Sequence, residues 1–390
     1  MVKRNDIFEI TIEDMLFPNK GVGYIDNKKV IIKGGIIDQR LKIKITKKRK
    51  NKLEGKILEV ITPSPIEIQP KCQHFKYCGG CTSQNLPYEK QLEIKAEQVK
   101  TLLNNAGIQD FQFLGIQPSP LEFRYRNKME FSFGDKVKGG PLELGMHKRD
   151  KFYEIISTTN CQIVDEDFNV ILSLILDYFR NKGISHFHKI THKGSLRHLV
   201  IRKAYKTGEI LINLVSTSQL KLELNELVEK LLNLPLSGKI VGILHTINDG
   251  VADVVKSDET IVLYGQDFIT EEILGLSFKI TAFSFFQTNS LGAEKLYSIV
   301  KDFAGNTKDK VIFDLYCGTG TIAQIMAPVA LKVIGIDIVE EAVEAAKVNA
   351  IENNLNNCEF IAGDVLEKID KLKEQPDLII LDPPRAGIHP

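Results

Sequence analysis

No apolar run in this 390-residue chain reaches the length of a bilayer span, which argues against a membrane-spanning helix and a membrane partner. The first residues, Met1-Val2-Lys3-Arg4-Asn5-Asp6, lack the apolar core of a secretory leader, so a cytoplasmic protein is expected. Cysteine is scarce, with six in the chain. In a reducing compartment that count argues against a disulfide framework, and the close spacing of several of the six points to metal ligands or reactive thiols. Net charge is nearly absent, at +1, but it is uneven. Residues 1–60 hold 15 Lys/Arg against 8 Asp/Glu, a balance of +7, and the remainder holds 36 against 42, a balance of −6. A local basic excess fits a polyanion-binding module joined to an ordinary enzyme body.

What is present divides the chain. With 43% apolar residues over this length, about two to four domains are expected, each able to bury a core. Residues 8–12, 21–25, 29–32, 41–45 and 55–60 are short β-rich runs separated by turn signals, and five of them so close together predict a small barrel. Alternation in 41–45 sets lysines on one face, and Lys47-Lys48-Arg49-Lys50-Asn51-Lys52 is expected as a charged loop beside it. Because the basic excess extends beyond that loop, contact with RNA or DNA is favoured over a solvated hairpin tip. Pro63, Pro65 and Pro70 mark the exit.

Next come Cys72, Cys78 and Cys81, with Gly79-Gly80 permitting a tight path, His74 between them and Cys161 far downstream. Three close thiols and a distant fourth suit either a zinc site or an iron–sulfur cluster, and spacing alone does not choose. Residues 87–103 carry apolar residues at helical spacing. Residues 123–133 interleave aromatic and basic residues, an arrangement that suits base stacking and a half-buried strand equally. Helices at 165–180 and 222–232 alternate with strands at 199–204, 209–215 and 239–245, an α+β pattern. His186, His188, His192 and His198 fit no common metal spacing and are expected as surface or core residues.

Residues 278–289 are rich in aromatics and end in amides, leading into a helix over 290–303 that Asn289 or Ser290 can cap. Then Val311-Ile312-Phe313-Asp314-Leu315 runs into Tyr316-Cys317-Gly318-Thr319-Gly320, a helix follows, and the next apolar strand ends at Asp337. Strand, glycine turn, helix, strand and acid in that order form a nucleotide-type cofactor site: glycine admits the ligand to the backbone, and the Asp337 carboxylate accepts from ribose hydroxyls. A third strand ends at Asp364. Leu378-Ile379-Ile380-Leu381 stops in Asp382-Pro383-Pro384-Arg385, setting a carboxylate at the carboxyl edge of a parallel sheet, where open α/β folds bind ligands.

The cysteine set, Phe285-Phe286-Gln287, the Asp314 to Gly320 turn and Asp382-Pro-Pro-Arg385 together resemble the TrmA/RumA-type RNA (uracil-C5)-methyltransferases, in particular their iron–sulfur 23S rRNA branch. The resemblance covers nearly the whole chain. It implies an α/β protein of three parts: a TRAM-like, OB-like RNA-binding β-barrel over 1–62, a central α+β iron–sulfur domain over 63–275, and a Rossmann-like S-adenosylmethionine methyltransferase domain over 276–390. It further implies that Cys72, Cys78, Cys81 and Cys161 hold a 4Fe-4S cluster. Gln287, Tyr316, Gly318, Gly320, Asp337 and Asp382 would surround S-adenosylmethionine, Phe285 would lie against the flipped uracil, and a monomer would bind 23S rRNA.

The chain departs from the family in one respect. The family's nucleophilic cysteine and general-base glutamate lie downstream of Asp-Pro-Pro-Arg, beyond Pro390, and neither Cys317 nor Cys358 is placed by a motif to replace the thiol. About four strands of the methyltransferase sheet are encoded, starting near Val311, Val333, Phe360 and Leu378, so an incomplete sheet with an apolar edge at Leu378 is expected. A fragment of a longer gene that binds RNA without turnover is therefore expected. The alternatives are a non-catalytic iron–sulfur RNA-binding protein, a tRNA uracil-C5 methyltransferase, and an amino-group methyltransferase. Arg385 weakens the last, since those enzymes put an aromatic residue there.

Overall fold

The computed structural model describes residues 2–49, 52–252, 258–383 and 387. They fall into two compact units, residues 1–119 with 148–150 and residues 120–147 with 151–390.

In the first unit one sheet runs in the order Ile7–Thr11, Arg40–Arg49, Lys52–Thr62, Lys28–Lys33, Lys20–Ile25 and Asp14–Leu16. The sheet curls until Ile7–Thr11 comes against Lys20–Ile25. A Cβ on Gly23 would lie 2.7 Å from the Thr11 carbonyl oxygen, so only glycine allows this closure. Ile10, Ile12, Val30, Ile32, Leu41, Ile43, Ile45 and Leu53 fill the interior. Truncating one of them to alanine costs about 2–5 kcal/mol. Lys42 and Lys44 sit on the outer face, as the alternation requires. The expected barrel is present, with one additional strand, Asp14–Leu16, too short to carry a pattern.

The basic run does not form the expected loop. Lys47, Lys48 and Arg49 continue one strand and Lys52 opens the next, paired as Lys47 with Glu54, Lys48 with Leu53 and Arg49 with Lys52. The backbone ladder persists because alternate side chains leave for solvent, and Glu54 meets Lys47 at 3.2 Å. Lys50 and Asn51 lie outside the described residues. Beyond the barrel, Tyr88–Asn105 is the helix expected from residue 87, with Pro87 at its cap and none of its residues fully buried.

In the second unit a sheet runs in the order Glu259–Gly265, Lys239–Ile247, Glu209–Ser216, Leu196–Lys203, Lys128–Asp135, Leu142–His147 and Ile155–Ser157. Glu209–Ser216 and Lys239–Ile247 are parallel, joined through the helix Asn225–Leu232, and the other neighbours are antiparallel. The helix Glu166–Asn181 starts where Asp165 accepts the Asp167 amide at 3.0 Å. It packs Phe168, Ile171, Leu172, Ile175 and Phe179 into the core. The strand expected over 123–133 begins only at Lys128. Arg124 is left-handed at φ 54°, which breaks an extended run. Within Lys128–Asp135, Met129, Phe131 and Phe133 are buried, so the half-buried strand accounts for those aromatics.

A hairpin, Phe268–Ile273 with Leu276–Thr281, precedes the helix Ser290–Ala304. Four parallel strands follow in the order Cys358–Ala362, Lys332–Asp337, Val311–Leu315 and Leu378–Leu381. These are the four expected, and Ile379 and Leu381 on the edge strand are exposed. The chain moves outward through three strands and then returns to the other side of Val311–Leu315. This return makes a crevice at the carboxyl ends of Val311–Leu315 and Leu378–Leu381, the usual ligand position in open parallel sheets. No helix among the described residues is long and apolar enough to cross a membrane.

Candidate active site

Three turns carry the candidate site residues. The first is Tyr316 to Gly320, where Tyr316, Gly318 and Gly320 adopt φ of 65°, 55° and 68°. The amides of Tyr316 and Cys317 donate to the Ile336 carbonyl at 2.9 and 3.1 Å, tying the turn to the neighbouring strand. The two glycines differ in purpose. A Cβ on Gly318 would meet nothing within 4 Å, so space is open over that backbone, whereas one on Gly320 would lie 2.4 Å from the Phe360 ring. Gly320 therefore serves helix–sheet packing, and Gly318 leaves the backbone accessible.

Asp337 stands beside the turn. Its Oδ2 accepts the Gly318 amide at 2.8 Å and its Oδ1 the Val339 amide at 2.9 Å, which leaves a lone pair on each oxygen. Asp382 follows the edge strand and is exposed. Since Leu315 is level with Leu381, Asp382 begins its loop alongside Tyr316. Pro384 and Arg385 lie outside the described residues.

Asp314 is a site residue the motif did not single out. It is 1% exposed, its Oδ2 accepts the Ala323 amide at 2.9 Å, and its Oδ1 has no hydrogen-bond partner. Burial, helped by the charges of Asp382 and Asp337, pushes its pKa up to about 7. Tyr297, buried on Ser290–Ala304, is pushed up for the same reasons: burial first, then Asp382 and Asp314. The three carboxylates thus share one field and favour a cation among them.

The third turn is 282–289. Asn289 caps Ser290–Ala304 by accepting the Gly292 amide at 2.9 Å, as expected. Phe286 is buried, while the Phe285 ring is 70% exposed. Phe285 lines a cleft of about 360 Å³ with Arg126, Lys128, Glu130, Met146 and Thr288. Arg202 and Asn127 hold this turn. Arg202 is 2% exposed; its Nε donates to the Ala282 carbonyl at 3.3 Å and its Nη2 to the Ser284 carbonyl. Burial brings its pKa down to about 10, with Glu130 acting against that fall. The Asn127 amide donates to the Gln287 carbonyl at 3.0 Å and to Ser290 Oγ at 2.8 Å. Gln287 therefore sits between the cleft wall and the helix cap.

Residues 2–58 match the TRAM domain, and residues 306–385 match a methyltransferase domain. An RNA methyltransferase of Clostridium tetani is 54% identical over 389 residues, covering 100% of this chain and 85% of that protein. One of Clostridium acetobutylicum is 53% identical over 390 residues, covering 100% and 86%. The chain belongs to the TRAM-containing RNA methyltransferases. Among solved structures it is similar to Pyrococcus abyssi tRNA (uracil-54, C5)-methyltransferase in complex with S-adenosyl-L-homocysteine, with a TM-score of 0.75 and 24% identity over 97% of this chain and 84% of that one. That likeness establishes a shared fold.

None of the six cysteines of this family member is in a disulfide. Cys317 and Cys358 pack against the methyltransferase core. Burial, then the Asp314 charge, raises both thiols, Cys358 to about 12 and Cys317 further. Cys72, Cys78 and Cys81 lie on one loop of the first unit. The Gly80 amide donates to Cys78 Sγ and the Gln84 side chain to Cys81 Sγ, each at 3.3 Å. The Cys81 pKa is raised by burial, with Cys78 and Cys72 adding to the rise, so the three thiols share one electrostatic neighbourhood. Among the described residues, however, no group of three or more His, Cys, Asp or Glu stands in metal-holding geometry. The four histidines form no such group either, and His198 is buried with Nδ1 3.4 Å from Ser132 Oγ. Cys161 belongs to the second unit, where its amide donates to Asn169 Oδ1 at 2.9 Å.

Proposed function

We propose that the chain acts on C5 of a uracil in RNA, 23S rRNA by the resemblance of its motifs, with S-adenosylmethionine as methyl donor. The observation that carries this reading is Phe285, whose exposed ring lies on the cleft of about 360 Å³. A ring so presented suits an unstacked base laid against it, and the cleft's charged wall suits the base's polar edge.

S-adenosylmethionine, when bound, supplies a methyl group on a sulfonium. The residues present suit it. Gly318 leaves the backbone open, Asp337 keeps lone pairs for ribose hydroxyls, and Asp314 Oδ1 is a buried acceptor without a donor. Asp314 and Asp382 favour the donor's positive charges, Gln287 and Tyr316 join them by the resemblance, and Gly320 keeps the turn packed.

Uracil C5 is a weak nucleophile, so a thiolate adding to C6 must first make C5 an enolate carbon. A base then removes the C5 proton and the thiol departs. Cys317 and Cys358 do not supply that thiolate, because burial beside Asp314 keeps both protonated. The decisive assay is methyl transfer from labelled donor to undermodified 23S rRNA and to tRNA. Transfer to tRNA alone overturns the rRNA assignment, and transfer to neither substrate favours the second reading, an RNA-binding protein without catalysis.

We further propose that Cys72, Cys78 and Cys81 are ligands of a 4Fe-4S cluster, as the resemblance implies. The N–H donors to Cys78 and Cys81 sulfur support this reading, since amide hydrogen bonds stabilise cluster thiolates. Iron and acid-labile sulfide in anaerobically purified protein, lost in Cys81→Ser, test it. Stoichiometric zinc instead would replace the cluster with the other reading of the same ligands.

A further inference from the structure

At the end of the strand Leu142–His147 and in the turn before Ile155–Ser157, large side chains stand in solvent that the cofactor and cleft do not use. Phe152 is 63% and Tyr153 58% exposed, and Ile190 on a neighbouring turn is also exposed. The rings are already organised. His147 stacks on Phe152 with centroids 5.9 Å apart and planes at 22°, and Phe152 meets Tyr153 edge-on at 5.1 Å and 88°. Lys189 Nζ lies 5.0 Å from the Phe152 ring centroid. Lys151 is more than half exposed, although it meets Glu154 at 3.0 Å.

We propose that His147, Lys151, Phe152, Tyr153, Lys189 and Ile190 form a second RNA-binding surface, one that stacks unpaired bases flanking the target nucleotide. The inference rests on the reading of RNA as substrate. Exposed rings beside cations offer stacking and charge together, which is the chemistry of single-strand binding. Lys189, over the Phe152 ring, and Lys151 bring two cations beside the rings for phosphate to meet. Paired bases have both faces occupied, which limits the surface to unpaired ones. Because the rings hold one another, little side-chain entropy is lost on binding. Position supports the flanking role. Met146 lines the Phe285 cleft and His147 is the next residue, so a strand leaving the cleft reaches the patch around the end of Leu142–His147.

The test is binding of a fluorescent single-stranded RNA and of a duplex of equal length to the full chain. Tyr153→Leu and Phe152→Leu are each expected to weaken single-strand binding about tenfold, with Tyr153→Phe near wild type and duplex binding little changed. Lys151→Gln with Lys189→Gln should reduce the salt slope of single-strand binding by about 0.7 per lysine lost. S-adenosylhomocysteine binding, which does not involve the patch, serves as the control for folding. Equal single-strand affinity in all variants overturns the inference and leaves the patch to a protein partner. Failure of the unaltered chain to bind either RNA overturns the RNA-substrate reading itself.

Discussion

The Gly318 amide donates to Asp337 Oδ2 at 2.8 Å, so the glycine turn and the acid of the next strand form one device before any ligand arrives. Removing the carboxylate then has two effects, the loss of ribose acceptors and the release of the turn. Asp337→Ala is expected to weaken S-adenosylhomocysteine binding about ten- to hundredfold, the range for hydrogen bonds to a charged group. Calorimetric titration checks this, and unchanged affinity would remove Asp337 from the cofactor site.

The two glycines of the turn should separate stability from binding. Gly320→Ala combines left-handed strain with a collision against Phe360 and is expected to cost about 2–4 kcal/mol in denaturant unfolding. Gly318→Ala meets no neighbour and should cost about 1–2 kcal/mol while impairing S-adenosylhomocysteine binding. The opposite ranking would exchange the roles given to them.

Asp314 predicts a pH dependence. Folding raises its pKa from 3.8 to about 7, so the folded chain holds this proton more tightly than the unfolded one. Stability from this group is full below pH 3.8 and is lost as pH rises through about 7. Asp314→Asn should therefore raise the unfolding midpoint relative to the unaltered chain above pH 7 and have little effect under acidic conditions. A cationic ligand favours the ionised carboxylate, so the preference for S-adenosylmethionine over its uncharged-sulfur product should grow as pH passes 7. A preference flat with pH, measured by competition, refutes the assignment.

Arg202 and Phe285 should fail in different ways. Arg202→Met keeps the stem but leaves the Ala282 and Ser284 carbonyls without their donors, costing about 1–3 kcal/mol for each group left buried and unpaired. Phe285→Ala removes a ring that is largely in solvent, so thermal unfolding should hardly move while binding of a uracil-containing RNA falls. A large loss of stability in Phe285→Ala would mean that the ring serves packing.

Alternation of apolar and polar residues located the barrel strands, the central helices and the four parallel strands, because local burial writes its period directly into the chain. It failed at 123–127, where Arg124 turns left-handed, and at 47–52, where a continuing ladder carries a charged run that had the composition of a loop. Turn chemistry and strand order were enough to assign Gly318, Asp337 and Asp382 to one edge of a sheet. The sequence also held a hint of Asp314, a lone acid inside an apolar strand, but its significance depends on burial and on the charges of Asp337 and Asp382. Arg202 carries no motif at all. Its role exists only because the fold brings it to carbonyls of residues about 80 positions later. Composition and spacing thus determined which elements form and which residue types line the sheet edge. The tertiary structure decided which glycine packs and which stays open, which acid keeps a proton, and which aromatic ring faces solvent, since each depends on neighbours distant in sequence.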